Sequence, residues 1–180
     1  MPNHISFWGN DSETGAYILW IEVAEDIAVT FGRFQNGRPV AIATGYYAYV
    51  GSAMGRRGSS SLVGRLLRHA TRSGEKPPHA LRALMPEAAA AAGLRVPAAL
   101  PAGKRLHWHI DYLLDNPAVE IAHIRMLRSG LRLESELARA LAAQPCFAPV
   151  APGLGASDAA GETHLFRYMG AKDSTRTGGG

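Results

Sequence analysis

A single cysteine, Cys146, leaves the chain without the means to form an internal disulfide, and one unpartnered thiol fits a reducing, cytoplasmic setting. Apolar residues never run unbroken for the roughly 18 positions a membrane helix requires. The opening stretch MPNHISFWGNDSETG lacks a basic segment ahead of an apolar one, so it does not read as a secretory signal. Zinc-ligand spacing, a helix-turn-helix pattern and internal repeats are all missing. These absences exclude a secreted disulfide scaffold, a membrane span and a repeat array. What remains is 180 residues at 47% hydrophobic, enough for one real core. The expected organisation is an extension over residues 1–14, one domain over 15–170, and a disordered tail over 171–180.

Acids are scarce in one region in particular. Between Arg56 and Arg82 the chain carries Arg56, Arg57, Arg65, Arg68, Arg72, Lys76 and Arg82 against a single acid, Glu75, although the formal net charge is only +4. Such a run suits a phosphate backbone, and equally a solvated face. Around it, YILWIEV (17–23) reads as a strand, IAVTFGRF (27–34) as its hairpin partner, and GYYAYVG (45–51) as a third strand, with Asn36-Gly37 as a turn. Ser59-Ser60-Ser61 can cap a helix through LVGRLLRHATR, which places Leu62, Leu66 and His69 on one face and Arg65, Arg68 and Arg72 on another. Four prolines bound an Ala-rich stretch within residues 75–104, which reads as a loosely packed insertion. HWHIDYLL is ambiguous between strand and helix. VEIAHIRML (119–127) reads as a strand, LRLESELARALAAQ as a helix and THLFRYM as a last strand. The fold class is therefore α/β (α+β), with a small, mainly antiparallel sheet of about three core strands, flanking helices, an extra hairpin and a C-terminal strand.

Several motifs then fall in order: Gly15-Ala16-Tyr17, Tyr49-Val50-Gly51-Ser52-Ala53, Arg65-Leu66-Leu67-Arg68-His69, the HWHID segment, and the paired acids Glu134 and Glu136 on a later helix. This order resembles the GIY-YIG nucleases, and HWHIDYL with GxGASD and HLF is closer still to a bacterial and archaeal branch related to them. Ala16 replaces the isoleucine of the first motif. The family's asparagine near the domain end has no counterpart; Ser157-Asp158 falls in about that region.

The resemblance implies a metal-dependent endonuclease acting on DNA. It implies Tyr17 as the proton acceptor from water, Tyr49 positioning nucleophile or phosphate, His107 assisting, and a helix glutamate, taken as Glu136, holding one Mg²⁺ (or Mn²⁺). Phosphodiester hydrolysis needs an activated water, neutralised phosphoryl oxygens and a stabilised leaving oxygen. A carboxylate-held divalent ion supplies Lewis acidity, and the forked guanidinium of Arg65 suits the phosphate. Arg56, Arg57, Arg68, His69 and Arg72 are the expected nucleic-acid contacts, with Gly51, Ser52, His109 and Asp111 in support. Residues two apart do not share a helix face, so only one of Glu134 and Glu136 can face a metal. No separate DNA-recognition element is visible, so targeting falls to low sequence preference, a partner protein or dimerisation. Two alternatives stand beside the nuclease: a non-catalytic nucleic-acid-binding module, and a metal-binding or interaction domain built on His107, His109 and Asp111.

Overall fold

The computed structural model describes residues 4–98, 103–155 and 162–170. Its elements run β1 (Ile5–Gly9), β2 (Gly15–Val23), β3 (Ile27–Val29), β4 (Val40–Ile42), β5 (Gly45–Ala53), α1 (Leu62–His69), α2 (Leu81–Ala91), α3 (His109–Leu114), β6 (Val119–Arg128), α4 (Glu134–Ala142), β7 (Phe147–Pro149) and β8 (Leu165–Tyr168). The class is the expected mixed α/β fold, with a larger sheet. Six strands lie in the order β1-β6-β2-β5-β8-β7, and only the β1–β6 pair is parallel. No helix among the described residues is long and apolar enough to cross a membrane.

The two faces of β2 explain the layering. Side chains alternate along a strand, so Tyr17, Leu19, Ile21 and Val23 all point to one side, where they are buried against Leu62 and Leu66 of α1, Leu81 and Met85 of α2, and Ile110 and Leu113 of α3. Ile18 points to the other, where α4 contributes Leu137, Ala138 and Leu141 to a smaller cluster with Val50 and Phe166. Three helices thus cover one face and one helix the other.

Three expectations change. IAVTFGRF does not pair with β2, because β5 and β6 occupy both edges of that strand along its whole length. Its first residues form β3 and pair with β4 in a separate two-stranded ribbon, joined through a turn in which Gln35, Asn36 and Gly37 take positive φ. The stretch before residue 15 is not merely an extension, because Ile5–Gly9 closes the sheet edge alongside β6. The part of the 75–104 segment that forms α2 is not loose either. Leu81, Met85 and Ala89, four apart, bury one face of α2 in the core.

The segment leading into α2 is held by a buried polar cluster. His79 accepts a hydrogen bond from the Ile121 backbone N–H on Nδ1 (3.2 Å) and donates from Nε2 to the Leu114 carbonyl (3.0 Å). Arg72 is buried beside it and donates to the carbonyls of Leu114, Pro77 and Val119 and to the Glu120 carboxylate. All three guanidinium nitrogens are thereby engaged within the protein. Arg72 is a structural clamp and not a nucleic-acid contact.

Burial, reinforced by the charge of Arg72, lowers the His79 pKa to about 4. In the unfolded chain the imidazole takes a proton near pH 6.5, so between those values the unfolded state binds more protons and stability falls as pH falls. Urea denaturation followed from pH 7.5 to 4.5 should show this loss beginning below about pH 6.5. The His79→Ala variant should be less stable at pH 7.5 by roughly 2–4 kcal/mol, with a shallower pH dependence in the same window.

Candidate active site

The antiparallel register of β2 and β5 sets Tyr17 directly opposite Gly51. A Cβ at residue 51 would lie 2.5 Å from both Cζ and the hydroxyl oxygen of Tyr17. Only glycine leaves room for the phenol to lie across β5. Ser61 caps α1 by accepting from the Gly64 amide, and the helix turns Leu62, Leu66 and His69 inward as its spacing predicts. His69 is 1% exposed and places Nε2 2.8 Å from the Tyr17 hydroxyl. Tyr49 packs beside both rings, with centroid distances of 6.5 Å to Tyr17 and 6.2 Å to His69.

Beside this pair opens a cleft of about 480 Å³. Its walls include Tyr17, Tyr49, Ser52, Arg65, Trp108 and Glu134. Arg65 donates to the carbonyls of Ser52 and Ser59, and its guanidinium lies 4.3 Å from the centroid of the Trp108 ring. Arg68 sits equally far from that ring, so the indole is shared by two cations. Ser52 donates a short hydrogen bond to Oε2 of Glu134, and Nδ1 of His164 lies 3.0 Å from Oε1 of the same carboxylate.

Beneath the cleft lies Asp111, fully buried. It accepts from Nη1 of Arg68 at 2.9 and 2.8 Å and from the backbone amides of His107 and Trp108 at 3.0 Å each. Lys104 Nζ is 3.3 Å from Oδ1 and His69 Nδ1 is 3.5 Å from it. Burial alone would raise this carboxyl's pKa, but His69, Lys104 and Arg68 hold it far below the usual carboxylate range.

That charge favours one His69 tautomer, although Nδ1 stands 3.5 Å from Oδ1 and makes no hydrogen bond among the described residues. A proton on Nδ1 faces the carboxylate favourably, which leaves Nε2 to accept from the Tyr17 hydroxyl. Burial depresses the His69 pKa to about 4, and burial pushes the Tyr17 phenol well up, with Arg65 opposing and Glu134 and Asp111 reinforcing. At neutral pH both groups are uncharged.

Of the residues expected from sequence, Tyr17, Tyr49, Gly51, Ser52 and Arg65 come together here. Arg56 and Arg57 are exposed on the loop that also supplies Met54, Gly55 and Ser60 to the cleft wall. Four expectations are corrected. The acid facing the cleft is Glu134, whereas Glu136 points to solvent beside Arg139, because residues two apart on a helix diverge by about 200°. The histidine at Tyr17 is His69, a buried partner and not a nucleic-acid contact; His107 is exposed, its ring edge-on to Trp108. Arg68 is mostly occupied by Asp111 and the Arg105 carbonyl. His107, His109 and Asp111 do not converge on a metal, since His109 accepts from the Gly155 amide and packs against Phe34 while Asp111 is enclosed. Asp158 lies outside the described residues.

Trp108, Lys104, His164, Arg132 and Ser135 join the site without a motif that points to them. Trp108 lies within HWHID, where the flanking histidines carry the stronger chemical signal. His164 falls in a segment whose pattern signals only a strand, and Lys104 in one whose prolines signal only an insertion. Replacing the buried charge of Asp111 by Ala leaves Arg68 and Lys104 uncompensated and should lower unfolding stability by about 3–5 kcal/mol. Denaturant titration checks this, and a loss under about 1 kcal/mol would show the carboxylate to be dispensable to the fold.

The family model described as "Domain of unknown function DUF123" matches residues 16–177, a span that includes every cleft residue from Tyr17 to His164. No curated protein and no solved structure matches the chain significantly. With nearly its whole length matched, the chain belongs to the family described as Domain of unknown function DUF123.

Proposed function

We propose that this cleft hydrolyses DNA phosphodiester bonds with the help of one divalent metal ion. The observation that carries the reading is the 2.8 Å contact between Tyr17 and His69 at the edge of a cleft that also presents Arg65 and Glu134. A proton acceptor chain, a fixed guanidinium and a carboxylate are the three groups that phosphodiester hydrolysis asks of a protein. The motif order resembling the GIY-YIG nucleases supports the same reading.

The exposed Arg56 and Arg57, with Arg132 on the opposite wall, attract the phosphate backbone. Arg65, held over the Trp108 ring and by the carbonyls of Ser52 and Ser59, is pre-oriented to contact the scissile phosphate. Tyr17 takes a proton from the attacking water as its own passes to Nε2 of His69, and Asp111 steadies the resulting imidazolium. Tyr49 borders the same space and limits where that water sits. The bases alone cannot neutralise the phosphoryl charge, so a carboxylate-held cation is called for.

Glu134 fits that cation. Burial by itself would raise its pKa, but His164, Ser52 and the charge of Arg65 prevail and keep it ionised. The described residues contain no trio of His, Cys, Asp or Glu that forms a full protein cage. Mg²⁺ characteristically binds through one or two carboxylates, waters and substrate phosphates, so a lone glutamate is an adequate anchor. When bound, the ion supplies Lewis acidity at the phosphoryl and leaving oxygens. The solitary thiol is consistent with work in the cytoplasm, and recognition of particular DNA falls to a partner or to DNA structure.

Labelled single-stranded, duplex, nicked and branched DNAs, incubated with Mg²⁺ or Mn²⁺, test the proposal. The wild type should cut at least one of them. Tyr17→Phe, Arg65→Ala, Gly51→Ala and Glu134→Gln should each slow cutting by about 10²-fold or more, and Glu136→Gln should change it by less than about two-fold. Salt-sensitive binding without any cleavage would instead identify a non-catalytic DNA-binding module. Undiminished cutting by Glu134→Gln would remove the metal from the site.

A further inference from the structure

His164 helps to keep Glu134 ionised but takes no other part in the chemistry just described, and it is buried in the cleft wall against the one carboxylate among the described residues that lines the cleft. Its side chain is 3% exposed, and Nδ1 has no hydrogen-bond partner among the described residues. Oε1 of Glu134 is only 3.0 Å away, but the ring is not aligned to donate to it. A nitrogen and a carboxylate oxygen thus stand side by side, and once a cation displaces the Nδ1 proton each can direct a lone pair at that common third atom.

The spacing suits such an atom. Two ligands at right angles around an ion, each about 2.1 Å from it, are separated by about 3 Å. The far side of the ring is prepared as well. Nε2 lies 3.1 Å from Oε2 of Glu162, and Ser135 donates to that same oxygen at 2.7 Å. With a cation bound at Nδ1, a hydrogen bond from Nε2–H to this held carboxylate completes the tautomer that metal binding requires. Carboxylate–histidine–metal arrangements use this second contact to orient the ring. The backbone holds the ring in place, since residue 164 donates to the Leu154 carbonyl (3.0 Å) and accepts from the Val50 amide (2.9 Å). Ser52 anchors the other glutamate oxygen from β5.

We propose that His164 and Glu134 together form a two-residue metal site, with Nδ1 and Oε1 as ligands and Glu162 as the outer partner of the imidazole. The proposal rests on the metal reading of the cleft and deepens it. An imidazole nitrogen beside a carboxylate oxygen favours a first-row transition ion over Mg²⁺, which prefers oxygen alone. The site is therefore one for Mn²⁺ or a heavier divalent ion of that row in preference to Mg²⁺.

Mn²⁺ binding to the full chain, followed by electron paramagnetic resonance, tests this without reference to cleavage. Wild-type protein should bind one Mn²⁺ whose spectrum carries nitrogen coupling, changed in isotope pattern when histidine is ¹⁵N-labelled. His164→Gln, similar in size, should abolish the coupling and weaken Mn²⁺ by at least about ten-fold, while Mg²⁺ affinity measured by competition shifts less. Glu162→Gln should weaken Mn²⁺ by about ten-fold with the coupling retained. Bound Mn²⁺ without nitrogen coupling would overturn the histidine ligand and leave the glutamate-held metal of the nuclease reading intact. Absence of Mn²⁺ binding in the wild type would overturn the site altogether. Nitrogen-coupled Mn²⁺ on a protein that cuts no DNA would uphold the site and sink the nuclease reading alone.

Discussion

One buried carboxylate holds the cleft face of this protein together. Asp111 gathers Arg68 from α1, Lys104 from the segment before α3, and the two amides that open α3, and it does so at zero exposure. Two side-chain cations against one anion is a costly arrangement away from water unless the geometry is good. Here both carboxylate oxygens are filled, and the surplus positive charge is turned to use. Burial keeps His69 neutral, the charges of Lys104 and Arg68 add to it, and the carboxylate favours a proton on the nitrogen that faces it. The same group that ties α1 to α3 therefore decides how Tyr17 is addressed.

The cleft depends equally on something the chain leaves out. Gly51 is the only residue type that lets the Tyr17 ring rest on β5, since any Cβ there would occupy the space of the phenol. Sheet register brings the two together: nine residue pairs between β2 and β5 fix which residue faces which. A slip of one position would turn Tyr17 to the α4 face and away from His69. The site is thus assembled from a sheet register on one side and a charge cluster on the other, with α1 spanning both.

Local signals were sufficient for most elements. The β-branched and aromatic composition of β2, β5 and β6, the leucine spacing of α4 and the serine cap of α1 are properties of neighbouring residues, and each element stands where those properties place it. Tyr17, Tyr49 and Arg65 could be singled out because their order along the chain carried information. The helix-face argument already showed that Glu134 and Glu136 cannot both turn inward. Which one does depends on how α4 is rotated against Val50 and Phe166, and that is a matter of packing between distant segments.

What the sequence determined by itself was the alphabet: a mixed α/β domain, a basic stretch, tyrosines in strands, and a helix bearing two acids. Tertiary structure alone decided the assignments. Arg72 and Arg68 became internal clamps, because carbonyls and a carboxylate from residues roughly forty positions away converged on them. His69 displaced His107 as the partner of Tyr17, and His164 met Glu134 from a strand read only for its hydrophobic pattern. The physical reason is the same in each case. A side chain's hydrogen-bond partner and its burial are set by long-range closure of the fold, whereas periodicity and propensity report only on its neighbours in the chain.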